Sequence, residues 1–268
     1  MLLAGCAGGG DEPPVDPVDA GNPEHIHGLG VNPADGALFI ATHTGLWRAT
    51  SDSRRASRVG ETQQDVMGFT IVGGNHFLGS GHPDAQQDLP PLLGLIESRS
   101  AGRSWKPISL LGEADFHILR YRAGRVYGFD ATNGRLLASA DRGRSWRELS
   151  APAPLLDLAI DPQDADTVVA STEQGTHRSR DGGGTWRPVG TDVGLLTWPT
   201  RAALYLIDGR GRVHRSRDGG ASFRRVGATR GPPAAFNHHD DELLAAMHDS
   251  TVMRSTDGGR NWTVRARP

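Results

Sequence analysis

The chain of 268 residues is poor in several residue types, and each shortage excludes a class of protein. It has a single cysteine, so no internal disulfide can form. Only 6% of its residues are aromatic. No run of about 18 apolar residues occurs, which excludes a hydrophobic helix that spans a membrane. The 29 basic residues are matched by 31 acidic ones, and the net charge of -2 leaves no overall basic footprint for nucleic acid.

Glycine and proline, by contrast, are abundant, with 36 and 17 copies. Both residues favour tight turns, so this composition suits many short strands better than long helices. The length permits one large domain or two ordinary ones. An all-β protein is therefore the first expectation, and the internal repetition described below decides between one domain and two.

The first residues resemble a known processing signal. Leu3-Ala4-Gly5-Cys6 is similar to the lipobox of bacterial lipoproteins, in which the cysteine receives a lipid after cleavage of the signal peptide. The resemblance implies an extracytoplasmic protein that meets the membrane only through a lipid on Cys6. Residues 1–6 are then a truncated signal, because they lack a charged start and a full apolar core. Residues 7–24 are predicted to be a disordered tether. The alternative is a disordered N-terminus with an incidental cysteine.

From residue 25 onward the chain repeats one unit. Its clearest mark is the motif Ser-x-Asp-x-Gly-x-(Ser/Thr/Asn)-(Trp/Phe), which begins at Ser139, Ser179, Ser216 and Ser255, with a weaker copy at Ser98. Successive motifs begin 41, 40, 37 and 39 residues apart. A period near 40 residues is typical of a propeller or a solenoid.

Each period also carries four short β-like runs separated by turn residues. Units of this kind close a ring of blades and so leave no long exposed sheet edge. The sequence therefore predicts an all-β, six-bladed β-propeller with four-stranded antiparallel blades. The predicted blades cover residues 25–62, 63–111, 112–152, 153–191, 192–230 and 231–268.

The repeated motif resembles the Asp-box, or BNR repeat, so the chain is similar to sialidase-like propellers. The segment His25-Ile-His27-Gly28-Leu29-Gly30 further resembles a bacterial lipoprotein group catalogued as sialidase-like glycosyl hydrolases. Asp-boxes occur in enzymes and in binding proteins alike, so the resemblance implies the fold more strongly than an activity. The motif aspartates are predicted to be turn residues that cap backbone N–H groups, not catalytic acids. They are Asp141, Asp181, Asp218 and Asp257.

Several histidines fall on the face opposite the Asp-box turns, which we call the top face. When the second strands of the six units are aligned, His43, His82 and His248 occupy one equivalent position, in three units that are consecutive around a closed ring. His25 and His27 lie at the same face, where the first strand begins. Imidazoles are common ligands of zinc and copper, so these five histidines predict a shared site for such a metal. Alternatively, each is an ordinary loop residue.

Acidic residues occupy the same ring position, or the place beside it, in the other three units. These are Asp130, Glu173 and Asp208. They are the candidate catalytic residues of an alternative function, an exo-acting glycoside hydrolase. The resemblance to sialidases is incomplete with respect to catalysis, because the early Arg-Ile-Pro element of that family is missing. They can equally be solvated loop tips.

The leading hypothesis is a lipid-anchored ligand-binding or scaffold propeller with a histidine-rich metal site. Its expected partner is a small ligand, a glycan or an envelope protein, and the protein is expected to be monomeric and to bind no nucleic acid. A third hypothesis is a purely structural disc that docks partners.

Overall fold

The computed structural model describes residues 25–268. The predicted signal, Cys6 and the predicted tether lie outside these residues. The described chain is built from 24 strands in six four-stranded antiparallel sheets, with no α-helix among them. No described segment forms a helix that could cross a membrane. The six-bladed, all-β propeller predicted from the repeats is confirmed.

Each blade is one uninterrupted segment of chain whose strands pair in sequence order. The first three blades consist of β1 (Ile26–Val31), β2 (Leu38–Thr42), β3 (Gly45–Ala49), β4 (Ser57–Arg58); β5 (Asp65–Gly73), β6 (His76–His82), β7 (Leu95–Ser98), β8 (Lys106–Ser109); β9 (Phe116–Arg122), β10 (Arg125–Asp130), β11 (Arg135–Ser139) and β12 (Arg147–Leu149).

The remaining three blades repeat this arrangement. They consist of β13 (Leu155–Ile160), β14 (Val168–Thr172), β15 (Gly175–Ser179), β16 (Arg187–Gly190); β17 (Leu195–Thr200), β18 (Ala203–Ile207), β19 (Arg212–Ser216), β20 (Arg224–Ala228); β21 (Pro233–His239), β22 (Glu242–Met247), β23 (Val252–Ser255) and β24 (Thr263–Ala266).

The first strand of every blade lines the central channel, where it contacts the first strands of both neighbouring blades. The second strands are almost wholly buried between blades, as in β2, where all five residues are buried. The hydrophobic clusters accordingly lie between blades; one of them joins Leu38 and Ile40 of the first blade to Leu244 and Ala246 of the sixth. Most of the stabilising apolar burial is therefore contact between neighbouring sheets.

The ring closes where the sixth blade meets the first. Asn237 Nδ2 donates a hydrogen bond of 2.5 Å to the carbonyl of Leu29 in the channel wall. At the outer edge, Arg265 donates to the carbonyls of Thr50 and Ser53 at 3.0 Å each. A single parallel bridge joins Arg55 and Arg267. The two terminal blades share no sheet, so side chains and this one bridge hold the seam.

The Asp-box turns connect the third and fourth strands on the face opposite the top face. In the box of the third blade, Ser139 Oγ accepts the N–H of Gly143 at 2.7 Å, and Asp141 Oδ1 accepts that of Ser145 at 2.9 Å. The boxes at Asp181, Asp218 and Asp257 have the same bonds. Hydrogen bonds from the residue four places on hold the pKa of Asp181 and of Asp257 at about 2. All four carboxylates are thus engaged within their own turns.

Candidate metal centre

The turn between β2 and β3 brings His43 to the top face. His43 and Thr44 form a two-residue turn, in which Thr42 Oγ1 donates to the carbonyl of Gly45 at 2.9 Å and accepts the N–H of Thr44 at 3.1 Å. The fourth blade builds the same turn around Glu173, with Thr172 in the place of Thr42. A histidine and a glutamate therefore occupy equivalent exposed positions on opposite sides of the ring.

Three histidines meet above the first blade. The ring of His43 packs edge-on against that of His27, with centroids 4.3 Å apart, and against that of His25, with centroids 5.4 Å apart. His43 Nδ1 lies 3.0 Å from Asp65 Oδ2, which comes from the first strand of the second blade. One ligand atom each from His27, His43 and Asp65 lies within 4.8 Å of the other two. We call these three residues the top cluster.

The surroundings of the top cluster keep His27 uncharged at neutral pH. Burial lowers the pKa of His27 to about 4, and the nearby His43, His117 and His25 add to this effect. Asp115 has a weaker effect in the opposite direction. A neutral imidazole binds a metal without first losing a proton. Nε2 of His27 and Oδ1 of Asp65 are both buried and have no hydrogen-bond partner among residues 25–268. Two polar atoms of the cluster thus remain unsatisfied within the part of the chain that the structure describes.

His82 belongs to a neighbouring group in the second and third blades. Its Nδ1 donates to the carbonyl of Pro91 at 2.9 Å, and its Nε2 lies 3.5 Å from Asp115 Oδ2. The same carboxylate oxygen lies 2.8 Å from Nε2 of His117. Three residues of these two groups were not predicted from the sequence: Asp65, Asp115 and His117. An alignment of first strands could have found His117, because it occupies the place in the third blade that His27 occupies in the first.

His248 lies on the same face but apart from the contacts described above. It is exposed, in the turn after β22, and its backbone N–H bonds to the carbonyl of Pro232 at 3.3 Å. The structure therefore brings together His25, His27 and His43, and places His82 beside them with a different carboxylate. Participation of His82 and His248 in one shared site remains a prediction.

The three candidate catalytic acids have separate surroundings. Asp130 is fully buried and accepts hydrogen bonds from Asn133 and from Arg135, each at 2.8 Å. Burial by itself would raise the pKa of Asp130, but these bonds hold it below its usual value. Asp208 accepts Nε of Arg212 at 2.6 Å and has a lowered pKa for the same kind of reason. Glu173 is exposed in its turn.

Below the top cluster, an ion pair spans the channel wall. Asp157 is 2% exposed and binds Nη2 of Arg120 from the neighbouring blade. The same carboxylate accepts the backbone N–H of Leu158 at 2.7 Å and that of Leu196 at 2.8 Å, so it links the third, fourth and fifth blades. Arg120 borders both a cavity of about 200 Å³ on the side of the top cluster and one of about 350 Å³ beyond it.

Acidification is expected to destabilise the fold between about pH 6.5 and about pH 4, in part through His238. Its Nδ1 lies 2.6 Å from Thr197 Oγ1, and burial, with a smaller effect of Arg122, lowers its pKa from 6.5 to about 4. In this range the unfolded chain binds a proton that the folded protein does not. The stability contributed by neutral His238 is therefore complete above pH 6.5 and declines as the pH falls towards 4.

This expectation is checked by urea unfolding of the natural protein and of His238→Gln across that pH range. The free energy of unfolding of the natural protein should fall more steeply, by about 1.4 kcal/mol per pH unit, the value for one proton. The comparison isolates His238 from His27, whose pKa is also lowered, and from His117, whose pKa is raised mainly by its bond to Asp115. Equal slopes in the two proteins would contradict the prediction.

Comparison of the sequence with known proteins gives a partial similarity. No family model matches the chain. A stretch of 98 residues is 32% identical to the dispase autolysis-inducing protein of Streptomyces mobaraensis, and the match covers 36% of this chain and 26% of that protein. The chain thus spans about a quarter of that relative, and the similarity concerns only part of each protein.

Solved structures resemble the chain over most of its length. A nidogen/laminin complex includes a chain with a TM-score of 0.68 and 12% identity, covering 87% of this chain and 93% of that one. An ancestral GH74 enzyme has a TM-score of 0.59 and 14% identity, covering 93% of this chain and 39% of the enzyme. YCF48 bound to D1 peptide has a TM-score of 0.51 and 14% identity, covering 76% and 69%. At these identities the likeness establishes the propeller fold alone.

Proposed function

We propose that this protein is a ligand-binding propeller that holds a zinc or copper ion on its top face through His27, His43 and Asp65. One observation carries the proposal: one ligand atom of each residue lies within 4.8 Å of the others. The residues come from two blades and are far apart in sequence, so the ring geometry assembles the set. The ring of His25 lies 5.4 Å from that of His43, so a third imidazole stands beside these two.

The donor set suits a transition metal. Imidazole nitrogen and carboxylate oxygen are both ordinary ligands of zinc, and imidazole suits copper as well. Two histidines and one carboxylate fill three of four tetrahedral positions and leave one for a further group. A group on a bound molecule can take that position, so the site is suited to binding a ligand through the metal.

The cellular setting follows from the N-terminal sequence and is part of the same proposal. A lipid on Cys6 would hold the propeller outside the cytoplasm at the membrane surface, and residues 7–24 would serve as its tether. The partner would then be a small ligand, a glycan or an envelope protein that the top face meets there. An acyl anchor at Cys6 in mass spectra of the membrane-extracted protein would support this setting, and an unmodified thiol would contradict it.

The alternative hydrolase ranks lower because of the contacts of its candidate acids. A general acid at neutral pH needs a raised pKa, whereas the pKa values of Asp130 and Asp208 are both lowered. Both side chains are held in ion pairs with arginines. Glu173 is exposed and belongs to a different blade from either. Scaffolding by the whole disc stays compatible with a metal-dependent ligand site.

Zinc titration tests the proposed function directly. Full-length protein carrying Cys6→Ser, treated with a chelator and dialysed, is expected to bind one Zn²⁺ in calorimetry and in elemental analysis. Removing a ligand by His43→Ala or Asp65→Asn should lower zinc affinity by at least about tenfold. Mutation of residues that only hydrogen-bond to metal ligands already lowers metal affinity by about that factor. The ligand atoms of both residues lie within the top cluster.

His76→Ala is the matched control. His76 Nε2 lies 2.6 Å from Glu97 Oε1, so it forms a histidine–carboxylate pair like that of His43 but outside the top cluster. The variant should bind zinc as the parent does. Zinc affinity that is unchanged in both His43→Ala and Asp65→Asn would refute the proposed site, as would a parent protein that binds no zinc.

A further inference from the structure

A bulge recurs where the channel-lining strands begin on the top face. In the first blade, Ile26 pairs with Thr42 and Gly28 with Ala41, so His27 is an extra residue without a partner of its own. The same one-residue shift occurs in four further blades. The extra residues there are Met67, His117, Leu156 and Ala234. In the fifth blade, Leu195 and Leu196 pair without such a shift.

All five bulge residues line the same cavity of about 200 Å³ at the top end of the channel. A bulge bends its strand and redirects the side chain of the extra residue. The repeated irregularity therefore produces a ring of side chains around the channel mouth, contributed by consecutive blades. The fold fixes the positions of this ring, and the sequence decides its chemistry.

The ring is chemically divided. The first three blades contribute an imidazole, a thioether and a second imidazole, from His27, Met67 and His117, whereas the fourth and sixth contribute Leu156 and Ala234. Met67 is partly exposed, unlike Met247 and Met253, which are buried in the hydrophobic core. A thioether that lines the same cavity as two imidazoles gives a soft donor set. Soft sulfur ligands favour Cu(I), and methionine is not among the usual ligands of zinc.

The surroundings of His27 and His117 favour metal binding in different ways. Nε2 of His27 is buried and has no hydrogen-bond partner among the residues that the structure describes. Nε2 of His117 is 2.8 Å from Asp115, whose side chain is 3% exposed. A carboxylate on one ring nitrogen orients the other nitrogen towards a metal, as is common around metal-bound histidines. Asp115 is itself held by its backbone N–H, which donates to Asp130 at 3.1 Å.

We propose that His27, Met67 and His117 form a Cu(I) site in the mouth of the channel. The inference rests on the proposed function, because His27 also belongs to the top cluster. That residue then stands between two donor sets: a harder one with His43 and Asp65, suited to Zn²⁺, and a softer one with Met67 and His117, suited to Cu(I). The choice of partner for His27 would then decide which of the two ions, Zn²⁺ or Cu(I), the protein holds.

Competition with a coloured Cu(I) chelator tests the site. Full-length Cys6→Ser protein, kept free of oxygen, should withdraw one Cu(I) from the bicinchoninate complex. Met67→Leu should weaken Cu(I) binding by at least about tenfold and leave zinc affinity unchanged. The matched control is Met253→Leu, the same exchange at a buried position that does not line the cavity. Copper X-ray absorption should show a sulfur neighbour that Met67→Leu removes.

The outcomes separate this inference from the proposed function. Equal Cu(I) affinity in Met67→Leu and the parent, with zinc binding intact, would overturn the Cu(I) site and leave the zinc site standing. Loss of zinc but not of Cu(I) in His43→Ala would support two donor sets. Loss of both ions in His27→Ala, with the fold retained, would support the shared ligand, whereas retention of Cu(I) in that variant would overturn it.

Discussion

Replacing Asp157 with alanine is expected to lower the free energy of unfolding by about 3–5 kcal/mol, the usual cost of breaking a buried ion pair from one side. The substitution leaves Arg120 without its carboxylate in the channel wall. It also deprives the N–H groups of Leu158 and Leu196 of their acceptor. Urea unfolding followed by circular dichroism measures the loss, which should be large because three blades meet at this one side chain.

Two further variants make this prediction specific. The double variant Arg120→Met with Asp157→Leu should be more stable than Asp157→Ala, because it removes the stranded charge and fills the space with apolar groups. Arg48→Ala should cost only about 0.2–1 kcal/mol, because it breaks an exposed pair. Each side chain of that pair, Arg48 and Asp35, is 37% exposed. An Asp157→Ala protein as stable as Arg48→Ala would contradict the argument.

Gly68→Ala is expected to be the other strongly destabilising change, by about 1–3 kcal/mol or more. A methyl group at this position would lie 2.3 Å from the carbonyl oxygen of Phe116, which belongs to the next blade. The obstacle is backbone, so the neighbouring strand itself must move. Gly68 directly follows the bulge at Met67, and the displaced strand carries His117, so Cu(I) binding should weaken together with stability.

The control for this exchange is Gly209→Ala. An added methyl there meets no atom within 4 Å, and Gly209 is not among the glycines with a positive φ. The substitution should be neutral or stabilise by about 0.4–1 kcal/mol, because alanine restricts the unfolded chain. Comparable losses for Gly68→Ala and Gly209→Ala would show that the close approach between blades does not determine the effect.

The fold was predictable because its signal is local. The Asp-box and the four short runs lie within each period of about 40 residues, and four-stranded blades of that length bury their faces only in a closed ring. The approach of His27 to His43 was also predictable, since β1 and β2 are adjacent strands of one blade. The turn after β2 accordingly brings the ring of His43 to 4.3 Å from that of His27, measured between centroids.

The other residues of the site are positioned by features that do not recur with the sequence repeat. Asp65 reaches His43 across the boundary between two blades, where the connecting segment has no fixed length. The directions of Met67 and His117 depend on bulges, which shift side-chain alternation by one residue. The ion pair of Arg120 and Asp157 depends on the distance between two neighbouring channel strands. The alternation of side chains along one strand gives no information about that distance.

The uninterrupted construction of each blade also affects how the ring responds to pulling. Tension applied between residues 25 and 268 loads the seam first, because the sixth blade lends no strand to the first. Apolar packing, as between Ile40 and Leu244, joins the two blades there, and the hydrogen bonds of Asn237 and Arg265 with the bridge of Arg55 and Arg267 are few beside a full ladder of backbone bonds. The ring would therefore open at this seam, with every sheet intact and with His27, His43, Asp65, Met67 and His117 of the first three blades still together.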